Sequence, residues 1–288
     1  MKVFIIGPEG AGKTIFATML HDYVTSEQGN LRIKVRAGDI ATKKYLAKEL
    51  NVLKHGEWPN STKEGKQITL NWIWEVSGRE LSFQLADSAG QDIRSELSGE
   101  QDQLHIKQQI QDADILIILV DIYGHQSDAH EKKIENAWII EESLKIAGEA
   151  KMILIGVSKA DLIPPPFKRE YWQNTEAIVS LFKEYMPEFN FEAFRRRLQS
   201  SKTSIVAFSA VSNTSNRSEN GRLIRFPQNP LNPIGIDIIA QEIVRIVKKK
   251  NPSLVRKLLS IVFFWIPIII VSLFILIALV SYILTIFL

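Results

Sequence analysis

Four short stretches of this chain combine residue types that can bind and transfer a phosphoryl group. The first, Gly7-Pro8-Glu9-Gly10-Ala11-Gly12-Lys13-Thr14, fits the pattern G-x-x-x-x-G-K-[ST]. Its glycines allow backbone amides to wrap an anion at a helix N-terminus, where the helix dipole also favours negative charge. Gly7, Glu9, Gly10, Ala11, Gly12, Lys13, Thr14 and Ile15 are the candidate phosphate-loop contacts. Lys13 would reach the β- and γ-phosphates, and the Thr14 hydroxyl would ligate Mg²⁺. The second stretch is Asp87-Ser88-Ala89-Gly90-Gln91. A carboxylate at a strand tip can hold the Mg²⁺ hydration shell, a glycine lets an amide approach the γ-phosphate, and a glutamine can orient the attacking water. The third is Ser158-Lys159-Ala160-Asp161. The Asp161 carboxylate can accept both guanine N1–H and the 2-amino group, a pair that adenine does not offer, while the Lys159 stem can lie along the base. The fourth is Ser209-Ala210, where a backbone N–H could meet guanine O6. Taken singly, the last three are also ordinary turns or solvated loops. Their order, and their place at strand ends, sets them apart.

Those strand ends follow from the hydrophobic pattern. Short aliphatic runs at 3–6, 115–121, 152–157 and 203–208 read as buried parallel strands. Runs at 68–76 and 81–87, separated by Ser77-Gly78-Arg79, read as a hairpin. Helices are expected at 13–26, 101–111, 131–147 and 236–250. Alternating strands and helices predict a doubly wound, mostly parallel α/β sheet with one antiparallel hairpin strand. Three segments exceed this plan and read as insertions. Residues 32–61 carry a helix over 41–53 with Asp39 as its N-cap, and 164–200 carry helices at about 170–185 and 190–199. Residues 212–234, rich in Ser, Asn and Pro, read as a loop.

Together the four stretches resemble the Ras-like small GTPase family, within the translation-factor-related class of P-loop GTPases. Gly7–Thr14 matches its phosphate loop, Asp87–Gln91 is similar to D-T-A-G-Q, Ser158–Asp161 to N-K-x-D, and Ser209-Ala210 to the start of S-A-K. Ser158 stands where that family has Asn, and Val211 where it has Lys. The resemblance covers residues 1–250 apart from the three insertions. It implies GTP/GDP and Mg²⁺ as ligands, slow intrinsic GTP hydrolysis with Lys13 and Gln91 as the catalytic pair, and a switch acting on protein effectors or regulators. It also implies a threonine sensing Mg²⁺ ahead of the hairpin. Thr62 is the candidate, with Thr42 and Thr69 as competitors, so Thr14, Thr62 and Asp87 form the expected metal set. The rival readings are a non-catalytic nucleotide-binding scaffold and a P-loop ATPase.

Composition narrows the rest. The chain has 288 residues and no cysteine, which excludes disulfides, thiolate metal sites and cysteine nucleophiles. Lys and Arg number 35 against 32 Asp and Glu, a balance that argues against a nucleic-acid partner. The five histidines lack zinc-ligand spacing, and Arg195-Arg196-Arg197 reads as a solvated helix face. Trp72 and Trp74 share one face of a strand, as a partner surface or as core. From Leu258 to Leu288 no residue is charged, a run of 31 where a membrane helix needs about 20. Arg245, Lys248, Lys249, Lys250, Arg256 and Lys257 precede it. By the positive-inside rule the expectation is a GTPase domain over 1–250 facing the cytoplasm, a basic linker at 251–257 and a C-terminal transmembrane anchor at 258–288.

Overall fold

The computed structural model describes residues 1–27, 31, 33–60, 68–87, 97, 105–127, 130–148, 152–163, 168–187, 189–199, 202–219, 222–249 and 272. Residues 1–244 form one compact unit and 245–288 a second. The expected anchor, apart from Ser272, lies outside the described residues. Among the described residues no helix is long and apolar enough to cross a membrane.

The first unit is built on a seven-stranded sheet. Its strands are β1 (Lys2–Ile6), β2 (Ile33–Ala37), β3 (Ile68–Val76), β4 (Arg79–Asp87), β5 (Ile115–Val120), β6 (Met152–Val157) and β7 (Thr203–Ala207), in the spatial order β2-β3-β4-β1-β5-β6-β7. Every residue of β5 is buried, as is all of β6 but Met152, which is why these strands read as unbroken aliphatic runs rather than alternating ones. Strand β3 runs antiparallel to both its neighbours, and the remaining pairs are parallel. The β3–β4 link is a two-residue turn with Val76 opposite Arg79. Ser77 (φ 52°) and Gly78 (φ 75°) both adopt the left-handed conformation, which matches the twist of the flanking strands.

Helices cover both faces. On one, Phe4, Ile6, Ile118 and Ile155 pack with apolar residues of α3 (His105–Asp112), α5 (His130–Ala147), α6 (Thr175–Tyr185) and α7 (Phe191–Leu198). On the other, α1 (Lys13–Ser26) packs against β4 and against α2 (Ile40–Lys54). Trp72 and Trp74 are fully buried, and Trp72 stacks on Phe83 with ring centroids 5.0 Å apart. These indoles are therefore core, and the partner-surface alternative falls. A short helix α4 (Ile122–Ser127) follows β5, and α8 (Ile236–Lys249) buries the helical stripe Ile236, Ile239, Ala240 and Ile243.

Two expectations need correction. Residues 33–37, inside the supposed 32–61 insertion, are the edge strand of the main sheet, paired with β3 from Ile33↔Val76 to Ala37↔Trp72. The following helix does form, with the Asp39 carboxylate accepting from the Thr42 amide at 2.5 Å. That bond holds the Asp39 carboxyl below its ordinary range. Thr42 itself is buried, and its hydroxyl accepts from the Asn71 amide at 2.9 Å, so it is spent on structure rather than on a metal. The second correction concerns 212–234. It is not a loop throughout but contains a separate hairpin, β8 (Thr214–Glu219) with β9 (Arg222–Pro227).

Candidate functional site

The phosphate loop sits between β1 and α1, and its geometry is that of an open anion cradle. Gly12 caps α1 at φ 80° and Gly10 has φ 78°, conformations that side chains disfavour. Among the described residues no side chain caps the helix, and none comes within 4 Å of the space a Cβ would take at either glycine. The start of α1 thus opens toward the space where a helix dipole favours an anion. Lys13 is buried, and its Nζ donates to the carbonyls of Gly7 (3.0 Å) and Pro8 (3.1 Å). A buried ammonium beside a helix start that no described side chain caps fits a phosphate chain.

The opposite end is stitched from β5, β6 and β7. Ser158 is buried, and both its amide (2.9 Å) and its hydroxyl (3.3 Å) donate to the Val120 carbonyl, tying the ends of β6 and β5 together. Lys159 takes the left-handed conformation at φ 55° and pairs through Nζ with Asp121, whose other oxygen accepts from the Gly124 amide at 2.6 Å. Asp161 lies in a single turn of 3₁₀ helix, Ala160–Leu162, held by the Ala160 amide on the Phe208 carbonyl at 3.1 Å. Burial pushes the Asp161 carboxyl above its ordinary value, opposed by a hydrogen bond from Ser209 and by the charges of Arg225 and Lys159. The Ser209 amide is committed to the Ile234 carbonyl at 2.8 Å. That bond takes the Ser209 amide out of reach of a ligand.

Both ends open into one cavity of about 490 Å³, within the range of small-ligand sites. Residues Glu9 to Ile15, with Ser158, Lys159, Asp161, Ser209 and Ala210, all line it, while Gly7 contributes by holding Lys13. Thr14 is the one member of the expected metal set whose side chain is described, and it faces this cavity. Asp87 closes β4 opposite Ile68, but its side chain lies outside the description. Thr62, Gly90 and Gln91 lie outside the described residues altogether. Among the described residues no group of three or more His, Asp or Glu could hold a metal ion.

The four motifs left some of the lining unmentioned. Trp58, Pro59 and Asn60 enter from the segment after α2, and Thr214 and Arg225 from the β8–β9 hairpin. The hairpin had a signal in the sequence: Asn220-Gly221 is the dipeptide most suited to a two-residue loop, and Glu219 pairs with Arg222 across it. For Trp58 and Arg225 no local signal exists, because only the tertiary fold brings them together.

The model of the Double-GTPase 1 family matches residues 4–151, just over half of the chain. This chain belongs to the Double-GTPase 1 family. The matched stretch contains Gly7–Thr14 and Asp87–Gln91 and ends before Ser158–Asp161, so the Double-GTPase 1 match and the base-end geometry are independent observations. Membership makes residues 4–151 part of a GTPase-type nucleotide-binding domain. None of the curated proteins matches the chain. Among solved structures, a point variant of Aquifex aeolicus Era bound to GDP and AlF4⁻ is similar at 13% identity and a TM-score of 0.44. That match covers 85% of this chain, which spans 56% of the Era chain.

Proposed function

We propose that this protein binds GTP, hydrolyses it to GDP and acts as a nucleotide-dependent switch at a membrane surface. The observation that carries the reading is the meeting of the open phosphate cradle with the Asp161 carboxylate across a single cavity. In this account the amides of the phosphate loop and the Lys13 ammonium bind the phosphates and stabilise charge that grows on the transferring group. Asp161 accepts from guanine N1–H and the 2-amino group, the Ala210 amide donates to O6, and the Lys159 stem supports the ring. Gln91 orients the water for in-line attack, and the Gly90 amide approaches the γ-phosphate. Mg²⁺, held by Thr14 with Asp87 and Thr62, would supply charge neutralisation between the phosphates. Residues around Thr62 and 88–100 would respond to the γ-phosphate, giving partners two states to distinguish.

The uncharged run at 258–288 supports anchoring, with the basic residues before it keeping the domain on the cytoplasmic side. Anchoring would concentrate the switch near membrane partners. Phosphate release from GTP in single turnover by the full chain in detergent tests the reading. Slow release from GTP and none from ATP is expected. Tight GTP binding without release would turn the protein into a scaffold. Release from ATP at an equal rate would make it an ATPase. Anchoring has its own test: the chain ending at residue 250 should leave the membrane fraction, and its persistence there would remove 258–288 from the account.

A further inference from the structure

One wall of the cavity belongs to none of the four motifs. It is made by Trp58, from the segment after α2, and by Arg225, from β9. The two are joined: Trp58 Nε1 donates to the Arg225 carbonyl at 2.6 Å, across 167 residues of sequence. Behind the indole lies an apolar group formed by Met19, Leu53, Val211 and Leu231, with Ile15 and Ala210 packed against it. Trp58 is only half-buried, so part of its ring is left to face the cavity. The end of α2 also meets the hairpin at a second point, where Gly56 leaves room for Arg217 and the Pro227 carbonyl. The Arg225 side chain is exposed, yet its charge reaches the Asp161 carboxylate. Position 211, by contrast, holds a valine buried in the apolar group, with no stem to extend over a ligand.

We propose that Trp58 and Arg225 form a clamp that retains the nucleoside, the indole lying against the base and ribose and the guanidinium closing the edge beside Asp161. The proposal rests on the reading that this cavity holds a guanine nucleotide. Every base has an apolar π-face, and aromatic stacking on it is worth roughly five- to a hundredfold in retention. The bond from Nε1 fixes the indole plane before the ligand arrives, so little ordering remains to be done on binding. Arg225 adds a cation beside a carboxylate that burial alone would drive toward its neutral form. This clamp joins two segments far apart in sequence, so a change in either one would loosen the grip on nucleotide.

Release of a fluorescent GDP analogue from the full chain in detergent, chased with unlabelled GDP, tests the clamp. Trp58→Ala is expected to release about tenfold faster and Arg225→Ala about fivefold faster. Trp58→Phe, which keeps an aromatic face but loses the N–H, should stay within about threefold of the unaltered chain. An unchanged rate in Trp58→Ala would overturn the proposal. So would equal acceleration in Trp58→Phe and Trp58→Ala, because the indole would then serve only to dock the hairpin. A second readout covers a Trp58→Ala chain that fails to fold: GDP should change tryptophan emission in the unaltered chain, and Trp58→Phe should lose most of that change. Emission that responds equally in both would also sink the clamp. If the unaltered chain takes up no GDP analogue at all, the guanine-nucleotide reading itself fails, and that result is distinct from either failure of the clamp.

Discussion

At the phosphate end of the cavity, consecutive residues from Gly7 to Thr14 supply a turn, an uncapped helix start and a buried cation. At the nucleoside end the wall is assembled from separate stretches: the 3₁₀ turn after β6, the end of β7, Trp58 after α2, and Arg225 on β9. The first is local, so its spacing survives as a readable pattern in the sequence. The second depends on sheet order and on the docking of a hairpin outside the main sheet, so only part of it can be read locally. The difference separates what any phosphate-loop protein must keep from what this chain has built for its own nucleoside.

Substitutions at the two ends should therefore differ in how far their effect depends on the base. The largest effect is expected at the phosphate end. Lys13→Ala should weaken GTP and ATP alike by roughly a thousandfold or more, since a charge-assisted contact to phosphate does not depend on the base. Equilibrium titration reads this, and an unchanged affinity would remove the phosphate cradle from the account. At the other end, Asp161→Asn should weaken GDP by about a hundredfold while leaving ATP untouched.

Asp161 also makes a pH prediction. Its carboxyl is raised above the ordinary 3.8 by burial, so the folded protein holds that proton more tightly than the unfolded chain. Stability from this group is therefore greatest at low pH and falls as pH rises through the folded pKa. Nucleotide-free Asp161→Asn should melt no lower than the unaltered chain at neutral pH. Guanine binding needs the ionised form, so GDP affinity should drop on acidification from above 3.8, and in Asp161→Asn that dependence should disappear. A lower melting temperature in the variant would show that the carboxylate is structural.

Gln91→Leu sharpens the catalytic side. Turnover should slow by roughly tenfold or more with GTP affinity retained, because water positioning matters only after binding. Equal rates in single turnover would take Gln91 out of the mechanism. The smallest effect is expected from the buried indoles. Trp72 Nε1 has no hydrogen-bond partner among the described residues, so Trp72→Phe loses volume but also removes a donor with no acceptor there. Its net change should stay within about 1–2 kcal/mol by denaturant unfolding, with nucleotide release unaltered. A Trp72→Phe chain that released nucleotide as fast as Trp58→Ala would erase the distinction between the core indole and the cavity indole.

Much of the fold was legible because burial on both faces forces unbroken aliphatic runs, as in 115–120 and 152–157, and because Ser77-Gly78 interrupts two alternating runs. β2 escaped notice because five residues alternating Ile33, Val35 with Lys34, Arg36 are too short to outweigh the polar residues around them. β8 escaped because Thr, Ser, Asn and Arg fill it, which reads by composition as loop, and β9 because its six residues are flanked by polar and proline-rich stretches. In the site, Asp161 and Lys13 announce themselves by motif. That the Ser209 amide is spent within the fold, which leaves Ala210 as the proposed donor, became visible only through the bridge from Ser209 to Ile234. Arg225 is an unremarkable surface arginine until the hairpin brings it onto the cavity that Asp161 also lines.

This cavity is expected to select a guanine nucleotide over an adenine one. Competition of GDP, GTP and ATP for the full chain, with and without Mg²⁺, measures it directly. GDP and GTP should displace a bound guanine analogue at matching concentrations, Mg²⁺ should tighten both, and ATP should displace it at least about a hundredfold less well. Equal displacement by ATP, or no binding of any of the three, would contradict it.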